Sequence, residues 1–321
     1  MTTNPALPFL DADAIRRSVT VADLLDAVEA AYRDVAAGRD RSPLRSHVEL
    51  ADGSLLLMPG VRDGGTGASV KLVTVMPGNA ARGLPTIHAL VAWFDAATGR
   101  PLAILDGAEI TAMRTGAASG VASRLLARED AATLGVIGAG AQAAWQVRAV
   151  LGARPIGRVL VYARDGERRA GFARRMADET GIEVTAVDSA ERAVREADVI
   201  CCATTATEPV FDAAWVRPGT HVNGIGAFRP GMVELPPSLF ARAALVAIDS
   251  RDAALAEAGD ILAAIEAGAI AEAALVEIGT IERDRVASRD PHAITVFKSV
   301  GLAIQDVAAA GLVVARLLGG G

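Results

Sequence analysis

The sequence predicts an α/β protein in which a doubly wound parallel sheet is inserted into a mixed α+β domain. Three observations carry that expectation. From Ala131 onward, short apolar runs alternate with helical patterns, the rhythm of parallel strands joined by crossover helices. At the start of that rhythm, Leu134 to Ile137 runs into Gly138-Ala-Gly140-Ala141-Gln142-Ala143, so strand, tight turn and helix follow without a gap. Ahead of it lies a β-rich region broken by Asp52-Gly53, Gly64-Gly65 and Pro77-Gly78, pairs that punctuate chains as turns. Together they describe a Rossmann unit set into a domain of another kind.

Taken in order, Thr20 with Asp23 starts a helix whose Val21, Leu24, Leu25, Val28 and Tyr32 keep helical spacing to Gly38. Strands are expected at 54–58, 68–76 and 86–94, with Thr98-Gly99 turning into a further strand at 101–105. A helix from Ile110 to Leu126 leads into the glycine turn. Parallel strands are then expected at 134–137, 159–162, 184–186, 199–203, 221–224 and 245–248, with a shorter one at 294–297. Helices fall at 142–151, 167–180, 190–196, 260–267 and 303–318. The expected division is residues 1–115 with 300–321 in the first domain, and 116–299 in the Rossmann domain, because chain termini often return to the domain that hosts an insertion.

Composition narrows the function classes. A chain of 321 residues, 51% of them apolar, can bury two cores. No uncharged apolar run reaches the roughly 18 residues of a membrane span, and Met1 to Leu10 has neither a basic n-region nor an apolar h-region. A cytoplasmic protein is expected. Cys201 and Cys202 sit in an apolar strand pattern and read as buried thiols rather than a disulfide or metal site. A net charge of −6 without basic clusters argues against a nucleic-acid partner. Of 32 basic residues, only Lys71 and Lys298 are lysine. Under such a bias toward arginine, both lysines are candidates for positions where a titratable ammonium is needed and a guanidinium will not serve.

The glycine turn matches the dinucleotide fingerprint G-x-G-x-x-A. Gly138 makes the turn, Gly140 lets backbone approach a pyrophosphate, and Ala143 permits close helix packing. Ala141 and Gln142 open the helix whose N-terminal amides would receive the phosphates. After the second strand, Ala163 holds the place where a carboxylate would accept from the ribose of NAD, and Arg164, Arg168 and Arg169 follow. NADP(H) is therefore favoured and NAD(H) remains possible. Thr204 and Gly226 follow the fourth and fifth strands, at the carboxyl edge where such sheets bind ligands.

In the first domain, Lys71 interrupts an apolar strand pattern and needs a partner, for which an anionic ligand is expected. Thr86 and His88 alternate onto one strand face, with His88 expected in the core. Arg114 lies in a helix otherwise lined by small residues, room for a bidentate grip on a carboxylate. Arg45 is a third cation.

Leu57-Met58-Pro59-Gly60, Lys71-Leu72-Val73, the Arg114-Thr-Gly-Ala-Ala stretch and Gly138–Ala143 occur in this order. They are followed by Gly224-Ile-Gly226-Ala-Phe228-Arg-Pro230 with Glu234-Leu235, and by Val296-Phe297-Lys298-Ser299-Val300-Gly301. Across essentially its full length the chain resembles the ornithine cyclodeaminase/mu-crystallin family. The resemblance implies a homodimer with a substrate-binding and dimerisation domain built from both chain ends. It implies that Arg45, Lys71 and Arg114 hold a substrate carboxylate, with Ser299 and Val300 close by. It also implies cofactor contacts from Thr86, Arg114, Ala141, Gln142, Thr204 and Ser299.

One departure bears on the reaction. Family members that deaminate ornithine or oxidise alanine place an aspartate where this chain has Phe228, and phenylalanine transfers no proton. Members without that aspartate resemble reductases of ketimines and of Δ1-pyrroline-2-carboxylate. The expected activity is thus NAD(P)H-dependent reduction of a cyclic ketimine carboxylate, with Lys71 as carboxylate ligand and proton donor and Phe228 over the apolar ring. The alternatives are a cyclodeaminase or alanine-dehydrogenase-like enzyme using another acid/base, and a non-catalytic NADPH-binding, crystallin-like protein. Retention of Arg45, Lys71 and Arg114 argues against the last.

Overall fold

The structure is a computed structural model that describes residues 6–282 and 290–319; the outermost residues of the expected first domain and 283–289 of the expected Rossmann domain lie outside them. The chain divides into two compact units, Met1–Arg114 with Leu302–Gly321, and Thr115–Gly301.

The first unit is a six-stranded sheet in the order β1-β6-β5-β4-β3-β2, formed by β1 (Phe9–Leu10), β2 (Ser46–Leu50), β3 (Gly53–Val61), β4 (Gly67–Val75), β5 (Ile87–Asp95) and β6 (Pro101–Asp106). Strands β2 to β6 pair antiparallel, and β1 adds parallel to β6. Three helices, α1 (Ala12–Ser18), α2 (Val21–Ala36) and α10 (Ala303–Leu318), complete it. Thr20 caps α2 by accepting from the Asp23 amide at 3.1 Å. Its apolar stripe of Leu24, Leu25, Val28 and Tyr32 is buried, as 3.6-residue spacing requires. Alternation in β3 and β4 buries Leu56, Met58, Lys71 and Val73 on one side. On the other side Val48, Leu50, Leu72 and Leu90 stay 40–46% exposed.

That second face corrects the expectation for His88. It is exposed, opposite Thr74 in the β4–β5 register, on the same outward face as Leu72 and Leu90. Thr86 precedes β5 rather than alternating within it; its carbonyl accepts from the Met76 amide at 2.8 Å.

The second unit is an eight-stranded, all-parallel sheet in the order β13-β12-β14-β11-β10-β7-β8-β9. Its strands are β7 (Thr133–Ile137), β8 (Arg158–Tyr162), β9 (Glu183–Ala186), β10 (Val199–Cys202), β11 (His221–Gly224), β12 (Leu245–Ile248), β13 (Leu275–Glu277) and β14 (Thr295–Lys298). The helices are α4 (Ala141–Ala153), α5 (Gly166–Thr180), α6 (Ala190–Arg195), α7 (Pro237–Arg242), α8 (Arg251–Glu257) and α9 (Gly259–Glu266). Helix α3 (Gly107–Leu126) runs through the division of the chain. The central strands β10, β11 and β14 are buried at every position. Burial on both faces makes β10 a continuous apolar run, whereas β11 and β14 also bury His221, Asn223, Thr295 and Lys298. Among the described residues no helix is long and apolar enough to cross a membrane.

Candidate functional site

Strand β4 carries Lys71 into the buried face of its sheet, between Met58 of β3 and Val91 of β5. Its ammonium contacts both oxygens of Asp306 on α10, Oδ1 at 2.9 Å and Oδ2 at 2.7 Å. Arg114, on α3, donates through Nε to the same Asp306 Oδ1 at 3.1 Å and through a terminal nitrogen to Gln305 Oε1 at 3.1 Å. Gln305 in turn donates to the Tyr32 hydroxyl at 2.5 Å and accepts from the Leu302 amide at 2.8 Å. One turn of α10 thus positions both cations.

Two cations share one carboxylate, all but removed from water: Lys71 is 1% exposed, Arg114 5% and Asp306 0%. Burial first, then the Arg114 guanidinium and, less strongly, Arg45 lower the Lys71 pKa against the opposing pull of Asp306, bringing it from its usual range to about 7. Arg45 therefore belongs to the same electrostatic neighbourhood. An excess of buried positive charge is costly without an anion, and the arrangement has the chemistry to hold a carboxylate. The sequence reading sought an anionic ligand for Lys71; the structure adds a protein partner, Asp306, which that reading missed.

In the second unit, Gly138 follows β7 with φ +112°, and a Cβ there would lie 2.5 Å from the Ala203 carbonyl oxygen. Only glycine meets both demands. Gly140 caps α4 with no side-chain hydrogen bond, so no capping side chain covers the end where helices bind phosphate. Ala143 is fully buried against the sheet, whereas Ala141 and Gln142 open the helix at the surface side. Arg168 donates to the Ala139 carbonyl at 3.2 Å, inside the glycine turn. Arg169 donates to the Ala163 carbonyl at 3.0 Å and stacks over Tyr162. Arg164 is exposed just past β8, and Asp165 is the N-cap of α5, accepting from the Arg168 amide at 3.0 Å.

The carboxyl edge of the sheet is held by acids that sequence reasoning left unassigned. Glu234 accepts from the Thr204 amide at 2.6 Å through one oxygen, and from the Gly226 and Ala227 amides at 2.6 and 3.1 Å through the other. Asp260 accepts from the Glu234 and Leu235 amides at 2.6 and 3.0 Å and pairs with Lys298 at 2.7 Å. Asp249 accepts from the Ser299 hydroxyl and from the Val300 and Gly301 amides at 2.8–2.9 Å. Val300, expected in the first domain, is thereby held in the second unit. Phe228 is half-buried with the Arg229 guanidinium 5.4 Å from its ring centre. Cys201 and Cys202 are free and buried; burial pushes the Cys201 thiol up to about 12.

A model of the ornithine cyclodeaminase/mu-crystallin family matches residues 8–321. The chain belongs to this family. Among ornithine cyclodeaminase/mu-crystallin relatives, it is similar to the Δ1-pyrroline-2-carboxylate reductase of Bacillus cereus, 38% identical over 313 residues covering 96% of each chain. Its fold is similar to the Δ1-pyrroline-2-carboxylate reductase of Thermococcus litoralis, solved in complex with NADH and L-proline. There the TM-score is 0.92 and identity 36%, over 97% of this chain and 98% of that one. An archaeal alanine dehydrogenase dimer with bound NAD is also similar, with a TM-score of 0.87 and 34% identity over 97% and 96%. The family fold is thus an α/β architecture with a mixed sheet and a parallel Rossmann sheet, as the sequence predicts.

Proposed function

We propose that the protein is an NAD(P)H-dependent reductase of a cyclic ketimine carboxylate, Δ1-pyrroline-2-carboxylate or Δ1-piperideine-2-carboxylate, yielding the L-amino acid. The observation that carries this reading is the pair of buried cations, Lys71 and Arg114, on the single carboxylate of Asp306; the family resemblance, which implies an aspartate in deaminating members at the place of Phe228, agrees with it. The pyrroline-2-carboxylate reductases at 36–38% identity support it.

Arg45, Lys71 and Arg114 bind the substrate carboxylate, which fixes the imine carbon in one orientation. A nicotinamide dinucleotide fits the second unit, where Gly138 clears the backbone and the α4 amides lack a capping side chain; when bound and reduced it supplies the hydride. Lys71 Nζ donates the proton to the imine nitrogen, a role suited to an amine titrating at about 7. The test incubates purified protein with NADPH or NADH and each cyclic imine, and separately with ornithine and NAD+. Imine reduction is expected; ammonia from ornithine without imine reduction would sink the proposal.

For the finer cofactor choice we favour NADP(H) because Arg164 is exposed beyond β8 and Asp165 is engaged as a helix cap. The neighbours with NADH and NAD lean the other way. Arg164→Ala is therefore expected to lower kcat/KM with NADPH by roughly 10- to 100-fold, the worth of a charge-assisted phosphate contact, and to leave NADH nearly unchanged. Equal losses would refute the assignment.

A homodimer is proposed on the outward face of the first sheet, where Val48, Leu50, Leu72 and Leu90 leave an apolar surface of the kind interfaces cover; the alanine dehydrogenase neighbour is described as a dimer. Leu72→Asp with Leu90→Asp should shift sedimentation from dimer to monomer, and a monomeric wild type would contradict the proposal.

A further inference from the structure

The loops after β10 and β11 meet backbone to backbone. A Cβ at Gly226 would lie 2.2 Å from the Thr204 carbonyl oxygen and 2.5 Å from Glu234 Oε1. The first of these loops also abuts the fingerprint turn, since Gly138 leaves no room beside Ala203. Three successive carboxyl-edge segments, those ending β7, β10 and β11, therefore form one continuous surface. Glu234 is the side chain that joins the last two, using both oxygens on three backbone amides.

A completely buried carboxylate is an expensive joint. The fold places it beside a second buried acid, Asp260, and one buried cation, Lys298. Burial holds the Glu234 pKa above the usual carboxylate range, with Lys298 opposing and Asp260 adding to the rise. Hydrophobic packing could hold two loops together at lower cost. A three-amide clamp instead fixes the direction of the amides and the spacing of the loops, which is what a ligand lying across the carboxyl edge of a parallel sheet reads. This gives Lys298, the second surviving lysine, a role: it offsets the two acids.

We propose that Glu234 is a positioning residue for the dinucleotide, setting the spacing of the Thr204 and Gly226 loops that receive its nicotinamide end. The inference rests on the reductase reading only for the identity of the reaction. Glutamine at 234 keeps the shape but replaces one acceptor oxygen with an NH2 that faces backbone amides; aspartate keeps two acceptors on a shorter stem.

The experiment measures dissociation constants for NADH and NADPH by energy transfer from protein tryptophan, alongside steady-state kinetics and melting temperature. Glu234→Gln is expected to weaken dinucleotide binding and raise its KM by roughly 10- to 100-fold, as misplacing a positioned contact does. The loss should be larger for the dinucleotide than for the imine, whose carboxylate is held by Arg45, Lys71 and Arg114 rather than by these loops, and Glu234→Asp should recover part of it. A lowered melting temperature with unchanged dinucleotide affinity would overturn the proposal. Should Glu234→Gln not fold, hydrogen exchange on the wild type decides. The Thr204, Gly226 and Ala227 amides are expected to be protected before dinucleotide is added, and protection appearing only after addition would overturn the proposal. A wild type that binds dinucleotide yet reduces no imine would refute the reaction while leaving this binding comparison intact.

Discussion

Replacing Lys71 with methionine is expected to lower kcat for imine reduction by roughly 10²- to 10⁴-fold, the contribution of a positioned acid, while the protein stays folded. Folding should survive because Arg114 still pairs with Asp306 and methionine fills the apolar stem's place. The pH dependence has a defined sign. With a pKa lowered to about 7, Lys71 is a donor below that value and a neutral amine above it. Imine reduction should therefore be fullest below about pH 7 and fall as pH rises through it; oxidation of the amino acid should rise over the same range. Lys71→Arg, which keeps the charge but cannot titrate, should remove this limb. Stability runs in a related direction. Between about 7 and lysine's ordinary 10.5 the unfolded chain holds more protons at this position than the folded one. This group's contribution to stability therefore improves as pH rises through that window. A Lys71→Met enzyme with an unaltered pH profile would exclude Lys71 as the donor.

Asp306→Asn should produce the second large effect. It leaves two buried cations on a neutral amide, and breaking a buried pair in this way costs about 3–5 kcal/mol. Asp306 is also the group that raises the Lys71 pKa against burial and the two guanidinium groups. Without it, the limb near pH 7 should move to lower pH. A ligand carboxylate should return part of the lost stability by mass action, so the denaturation midpoint of the variant should rise with L-proline more than that of the wild type. Unchanged stability together with an unmoved pH limb would contradict the role assigned to Asp306.

The two lysines show how far the sequence reached. Their scarcity among 32 basic residues singled both out, and both are buried and paired with aspartate. Their partners were not legible. Asp306 lies 235 positions from Lys71, and no local period links a strand residue to a helix that returns from the other end of the chain. Glu234 and Asp260 were hidden for a related reason, because a carboxylate that accepts from backbone amides leaves no pattern in the side chains it serves. The glycine turn was legible because its demands are local: a positive φ at Gly138 and clearance beside it. Strands β7, β10 and β12 were legible through their short apolar runs. Strands β1 and β13, of two and three residues, are too short for any period to register. Strand β2 is exposed along its length and so lacks the buried alternation that marks strands. His88 misled for the opposite reason, since its strand alternates between a buried face and an apolar face that is open in the single chain.

The central claim is hydride transfer to an imine carbon, and the position of a label tests it most directly. The protein is incubated with Δ1-pyrroline-2-carboxylate and dinucleotide carrying deuterium at the transferable C4 position, and the product is examined by mass spectrometry. The account predicts L-proline with one deuterium, located on the α-carbon. Product without label at that carbon, or no product from the imine while ornithine releases ammonia, would contradict it.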